Sequence, residues 1–231
     1  MPRRTRRRPA LEPPLSMSVP PWNGGPCLEL VHEFNERFVT ETAQAAREDG
    51  ERVLPEMVRM HRDLWVRLDG SAGRRASECP FLLADIQFRN AAWWQRAQSD
   101  ASWHGGQPTA VRLFARKPAI ELMRDALLVA WSTARQDPRL AATVLAMSDE
   151  VARIVARLGL HHLRRIPEQC HQHLRPRWQH LSAFWGRLLS AASCDDREAL
   201  YDLQLHAFQL ADADSGLAAS APDPVPAGHD Q

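Results

Sequence analysis

The densest set of potential metal ligands in this chain lies between residues 161 and 180: His161, His162, Cys170, His171, His173 and His180. Cys170 and His173 stand three apart, so on a helix they would share one turn and could both reach a metal ion. Zinc takes four such ligands, and the other two would have to come from His161 or His162 and from His180. The spacing matches no standard finger, and a cluster of this kind is more often solvated surface. No metal and no other cofactor is assigned. Signatures of catalysis are missing as well: there is no G-x-S-x-G, no Gly-rich phosphate loop, no H-E-x-x-H and no spaced Asp pair with a matching base. Gly105-Gly106 is an isolated loop pair without a nucleotide signature. Cys27, Cys79, Cys170 and Cys194 lie far apart with no C-x-x-C, as expected of free thiols. The expectation is a protein that is not an enzyme.

The chemistry that remains is electrostatic. Residues 151–190 hold seven arginines against one acid, Glu168. Arg153 and Arg157 are four apart and share a helix face opposite Val151, Ile154 and Val155. Arg164 and Arg165 extend that surface, and Arg175 and Arg177 flank Pro176. No acid at i±4 pairs these side chains within the segment. They form either a solvated face neutralised by acids elsewhere in the fold or a phosphate-contacting surface, and Arg153, Arg157, Arg164, Arg165, Arg175 and Arg177 are the candidate DNA contacts. A second basic cluster, Arg3, Arg4, Arg6, Arg7 and Arg8, precedes Pro-rich sequence rather than an apolar stretch. It is expected to be a solvated tail or a nucleic-acid arm and not a secretory leader.

The elements that position these residues read as helices. Residues 28–49 repeat Leu28, Val31, Phe34, Phe38, Thr42 and Ala45 at helical spacing, with Gly50 as the stop. Residues 52–68 repeat the pattern from Leu54 to Leu68, with Pro55 in the first turn, and the two pair as a helical hairpin. Residues 70–79 are expected to be a loop. Residues 80–98 are assigned to a helix, although Phe81-Leu82-Leu83 fits a short buried strand equally well. Residues 99–110 form a second loop and the candidate boundary between sub-domains. From Pro118 a helix runs through Ile120, Met123, Leu127, Leu128 and Trp131 to Asp137-Pro138, and a short helix carries Leu140 and Val144. Ser148 caps the next helix, whose first turn holds Asp149 and Glu150, favourable against the dipole. That helix buries Val151, Ile154, Val155 and Leu158 and stops at Gly159. Leu160, Leu163 and Ile166 mark another short helix ending at Pro167, and Pro176 breaks the chain again. Helices over 179–192 and 196–211 follow. Trp93, Trp94, Trp131, Trp178 and Trp185 are expected in the core, and Trp22 and Trp103 at partner contacts.

Composition agrees with this pattern. The chain has 231 residues, 44% of them hydrophobic and 25% charged, with 29 basic against 28 acidic groups. That is the composition of a globular protein with a core of its own, and it excludes collagen-like, disulfide-scaffold and wholly disordered classes. No apolar run approaches a membrane span, so the expected setting is the cytoplasm. The fold class expected is all-α: a multi-helix bundle of short to medium helices with disordered ends. Its divisions are a basic, Pro-rich lead (1–26), an N-terminal helical region (27–110), a C-terminal helical domain (111–211) and a disordered tail (212–231).

Residues 125–178 resemble the FlhD family, the D subunit of the flagellar master transcription regulator, and in particular its diverged relatives on integrating conjugative elements. The resemblance is carried by Gln136-Asp137, by Met147-Ser148-Asp149-Glu150-Val151-Ala152, by Leu158, Leu160, Leu163, Ile166 and Glu168, and by Arg177-Trp178. It covers about a quarter of the chain. It implies an all-helical, DNA-binding activator subunit, forming a homo-oligomer or a hetero-oligomer with a zinc-bearing C-type regulator, and contacting DNA directly or through that partner. The chain is far longer than an FlhD subunit, residues 28–110 have no counterpart, and the partner's zinc cysteines are absent. The alternative is a helical protein–protein interaction adaptor, or a secretion or conjugation accessory protein, without DNA binding.

Overall fold

The computed structural model describes residues 25–48, 53–107 and 111–219. The expected basic arm at 3–8, Trp22, the Gly50 stop and the last part of the tail, 220–231, lie outside them. Among the described residues the fold is an all-α bundle of eleven helices with one two-residue antiparallel pairing.

Helix α1 (Gly25–Arg47) buries Val31, Phe34, Phe38, Val39 and Ala46. It lies along α6 (Arg116–Gln136), which buries Leu122, Met123, Ala126, Leu127 and Ala130. The stretch expected as one helix over 52–68 divides into α2 (Glu56–Met60) and α3 (Arg62–Arg67). The break is at His61, whose Nε2–H donates to the Ser182 carbonyl at 2.7 Å. The expected pairing of α1 with this segment is present.

Two expectations need correction. Residues 70–79 are not a loop, because α4 spans Gly70–Ser77. Its glycines and serines are poor helix formers, but Asp69 caps it by accepting from the Ala72 N–H at 2.7 Å. Ala72 and Ala76 are buried, and α4 packs between α1 and α10 (Ser182–Ser193). Residues 80–98 are not one helix either. Phe81 to Ile86 form an irregular, bent segment, almost fully buried apart from Asp85, with β1 at Ala84–Asp85, and only α5 (Ala91–Ser99) is helical. A short apolar run buried on both faces has no period to read. Tertiary partners satisfy its backbone. The buried Asn35 of α1 donates to the Phe81 carbonyl at 2.9 Å and accepts from the Leu83 N–H at 2.9 Å. Leu82 N–H reaches the Val144 carbonyl at 3.2 Å, and Arg177 N–H reaches that of Leu83 at 2.8 Å.

The C-terminal half follows the expected punctuation. Asp137 caps α7 (Pro138–Leu145) and Ser148 caps α8 (Asp149–Ala156), accepting from the Val151 N–H at 3.2 Å. Helix α9 (Leu160–Cys170) does not stop at Pro167 but carries it inside and runs on into a 3₁₀ turn, His171–His173. Next come β2 (Arg175–Pro176), α10 and α11 (Arg197–Ala219), the last extending past the expected end at 211, so 212–219 is helix rather than disordered tail. At the other end, α1 begins two residues inside the expected lead. Leu128 and Leu160, placed on apolar stripes from spacing, are exposed, Leu160 by 68%. The buried apolar side chains form one cluster from Val31 to Ala207, so the loop after α5 does not separate two cores.

Candidate nucleic-acid interface and an adjoining basic cleft

The six candidate arginines divide by what their guanidinium groups reach. Arg153 and Arg157 lie exposed on α8 because Val151, Ala152 and Val155 fill the opposite face. Arg153 donates only locally, from Nε to the Asp149 carbonyl at 3.2 Å. Arg164 is exposed on α9, whose inner face is Leu163, Ile166 and Pro167. Arg153, Arg157 and Arg164 form no salt bridge among the described residues. Trp131 ties this region to α6, its Nε1–H donating to the Leu158 carbonyl at 2.9 Å, and Arg135 lies 4.7 Å over the Trp131 ring.

The other three arginines are occupied by the fold. Arg165 donates to the carbonyls of Ala97 at 2.6 Å and Asp100 at 2.5 Å, closing the C-terminal end of α5. Gln169, one turn on, donates to the Ala101 carbonyl at 2.9 Å, and Gln172 to that of His104 at 2.7 Å. Arg175 grips Asp85, with Nη2 2.6 Å and Nε 2.8 Å from Oδ2. Arg177 is only 5% exposed and donates from Nη2 to the Leu145 carbonyl at the end of α7. Arg165, Arg175 and Arg177 therefore bind protein oxygens that no local sequence pattern announces.

The metal-ligand candidates are likewise dispersed: His161 and His180 are exposed, and the others enter packing to differing degrees. Cys170 is buried, and burial pushes its thiol up to about 12. The His173 ring sits edge-on to Trp93, with centroids 5.5 Å apart, and against Gly105; burial holds its pKa below the ordinary value. His162 bridges α9 and α5, accepting from the Gly159 N–H at 3.0 Å and donating to the Gln98 carbonyl at 3.0 Å. Among the described residues no three His, Cys, Asp or Glu side chains gather as a ligand set. Trp93, Trp94, Trp178 and Trp185 are in the core, Trp131 is half-buried, and Trp103, expected at a partner contact, packs 5.1 Å from Trp93.

Arg175 and Arg177 also line a cleft of about 540 Å³ between the β1–β2 pairing and the start of α5. Asp85, Gln87, Arg89 and His180 line it too. The sequence offered one sign of it, the flanking of Pro176 by arginines; residues 85–90 carried none. Three residues on its wall, Gln87, Ala146 and Trp178, have positive φ of 53°, 48° and 49°. That conformation costs a residue with a Cβ about 1–2 kcal/mol, and such residues cluster at functional sites. Trp94 Nε1–H donates to the Gln87 carbonyl at 3.0 Å, and Trp185 Nε1–H to the buried carbonyl of Arg177, which precedes Trp178, at 3.0 Å.

No protein-family model, no curated protein and no solved structure matches this chain. No helix among the described residues is long and apolar enough to cross a membrane.

Proposed function

We propose that this chain is a non-enzymatic transcription regulator subunit, FlhD-like over its C-terminal half, that works in the cytoplasm and contacts DNA together with a partner subunit. The observation that carries this is the exposure of Arg153, Arg157 and Arg164 on two consecutive helices, with no carboxylate against them among the described residues. Guanidinium groups in that state fork onto phosphate oxygens. Contacts of this kind position a protein on the duplex without reading its bases, so sequence choice falls to the partner. The resemblance of residues 125–178 to the FlhD family supports the same assignment.

The test is retention of a labelled duplex by the full chain at several salt concentrations, with and without a C-type partner. Phosphate binding requires affinity to fall steeply as salt rises. Absence of retention in both arms favours the adaptor instead. One feature supports that second function: a groove of about 680 Å³ between α1 and α6, with Leu30 and Leu128 exposed on its rim and Phe34 and Val129 beneath.

A further inference from the structure

We propose that a DNA duplex lies along the seam between α6 and the α8–α9 edge and meets a second cationic cluster, Arg112, Arg116 and Lys117, at the far end. This rests on the DNA reading given above and adds to it a direction and a length. The three side chains are exposed and, like Arg153, Arg157 and Arg164, form no salt bridge among the described residues.

Three contacts set the course of the seam. At one end Trp131 Nε1–H donates to the Leu158 carbonyl at 2.9 Å, beside Arg157. Further along, Arg124 Nη2 donates to Glu168 Oε1 at 3.2 Å, so this acid facing the seam is already paired. At the other end lies His171. Burial first, and then the charges of Arg116 and Arg112, hold its pKa below the ordinary value, which puts those guanidinium groups close to the ring. Positions on α6 thus fall from 131 to 116 as those on the facing edge rise from 158 to 171, and the two run antiparallel. Arg116 and Arg135, at opposite ends of α6, are separated by roughly 28 Å of helix. That span is about eight base pairs of duplex. Cations grouped at both ends of a strip this long suit a rod of evenly spaced phosphates better than a compact anion. Arg116 and Lys117 do not serve α6 itself, because they occupy its first turn, where the dipole disfavours a cation. Arg112 and Arg116 are free to fork onto phosphate oxygens.

The experiment titrates a labelled sixteen-base-pair duplex with the full chain at several salt concentrations, with and without the candidate partner. Arg112→Gln/Arg116→Gln/Lys117→Gln should lose up to about three units of the slope of log affinity against log salt. A six-base-pair hairpin is only about 20 Å long and reaches one cluster at a time, so on it the same variant should keep most of its slope. Its melting temperature should match that of the parent protein. If Arg153→Gln/Arg157→Gln/Arg164→Gln loses slope on the long duplex and the Arg112 variant does not, the seam is overturned and the DNA reading stands. Equal loss on both lengths by the Arg112 variant also overturns the seam. No retention of either duplex by the parent protein contradicts the DNA reading itself. Tighter binding of polyglutamate than of the long duplex at equal salt assigns the strip to an acidic protein and overturns the proposal.

Discussion

Arg164 and Arg165 are neighbours in sequence with opposite surroundings. One faces solvent; the other closes the end of α5 through the Ala97 and Asp100 carbonyls. Arg177 is more committed still, buried with its guanidinium on the Leu145 carbonyl. Removing a buried charged donor leaves its acceptor unsatisfied, so Arg177→Met is expected to cost about 2–4 kcal/mol of stability. Arg153→Gln is expected to change stability by less than about 0.5 kcal/mol. Thermal melts of the two variants check this, and equal losses would contradict the division of the arginines. The sequence made all six look alike, because helical spacing locates a face but not an acceptor that arrives from 32 to 90 residues away. The same limit applies to Cys170 and His173, whose spacing suggested a shared metal although one is in the core and the other lies against Trp93.

At the scale of elements, what could be read in advance was whatever carries its own period or cap. The Ser148 cap of α8 and the Asp137-Pro138 boundary between α6 and α7 are local features and stand; of the α6 stripe, Ile120, Met123 and Leu127 are buried, Trp131 is half-buried and Leu128 is exposed. The buried non-helical 81–86 segment and α4 depart from the sequence reading because both depend on distant partners: Asn35 and Val144 for the first, α1 and α10 for the second. The loop after α5 offers a direct test of such dependence. Gly105 and Gly106 both have positive φ, +83° and +73°. A Cβ on Gly105 would sit 2.5 Å from His173 Nε2, whereas one on Gly106 meets nothing within 4 Å. Gly106→Ala therefore carries only the backbone cost, about 1–2 kcal/mol. Gly105→Ala adds a steric clash of about 1–3 kcal/mol. Chemical denaturation should rank Gly105→Ala below Gly106→Ala; the reverse order would mean that the His173 ring is not packed against this loop.

Among the described residues, one apolar cluster holds both halves together, and the all-α class was legible because most of the helices that build it are amphipathic in sequence. Burial holds His32, His162, His171 and His173 below the ordinary histidine value of 6.5. The unfolded chain then takes up protons first as pH falls. Stability from these groups is complete above about pH 6.5 and declines as pH drops through their depressed folded values. The melting temperature should be higher at pH 7.5 than at pH 5, and His162→Gln/His171→Gln should show a smaller drop. A melting temperature that rises on acidification would contradict the burial of these imidazoles.

The most direct measurement of the proposed function is the salt dependence of duplex binding by the full chain and by Arg153→Gln/Arg157→Gln/Arg164→Gln, with the candidate partner present and absent. Each phosphate neutralised adds about 0.9 to the slope of log affinity against log salt. The triple variant should therefore bind every duplex sequence more weakly and lose up to about three units of slope. Its melting temperature should match that of the parent protein. Superimposable binding curves for the two proteins, in the presence of the partner as well as its absence, would contradict the assignment of these arginines to DNA.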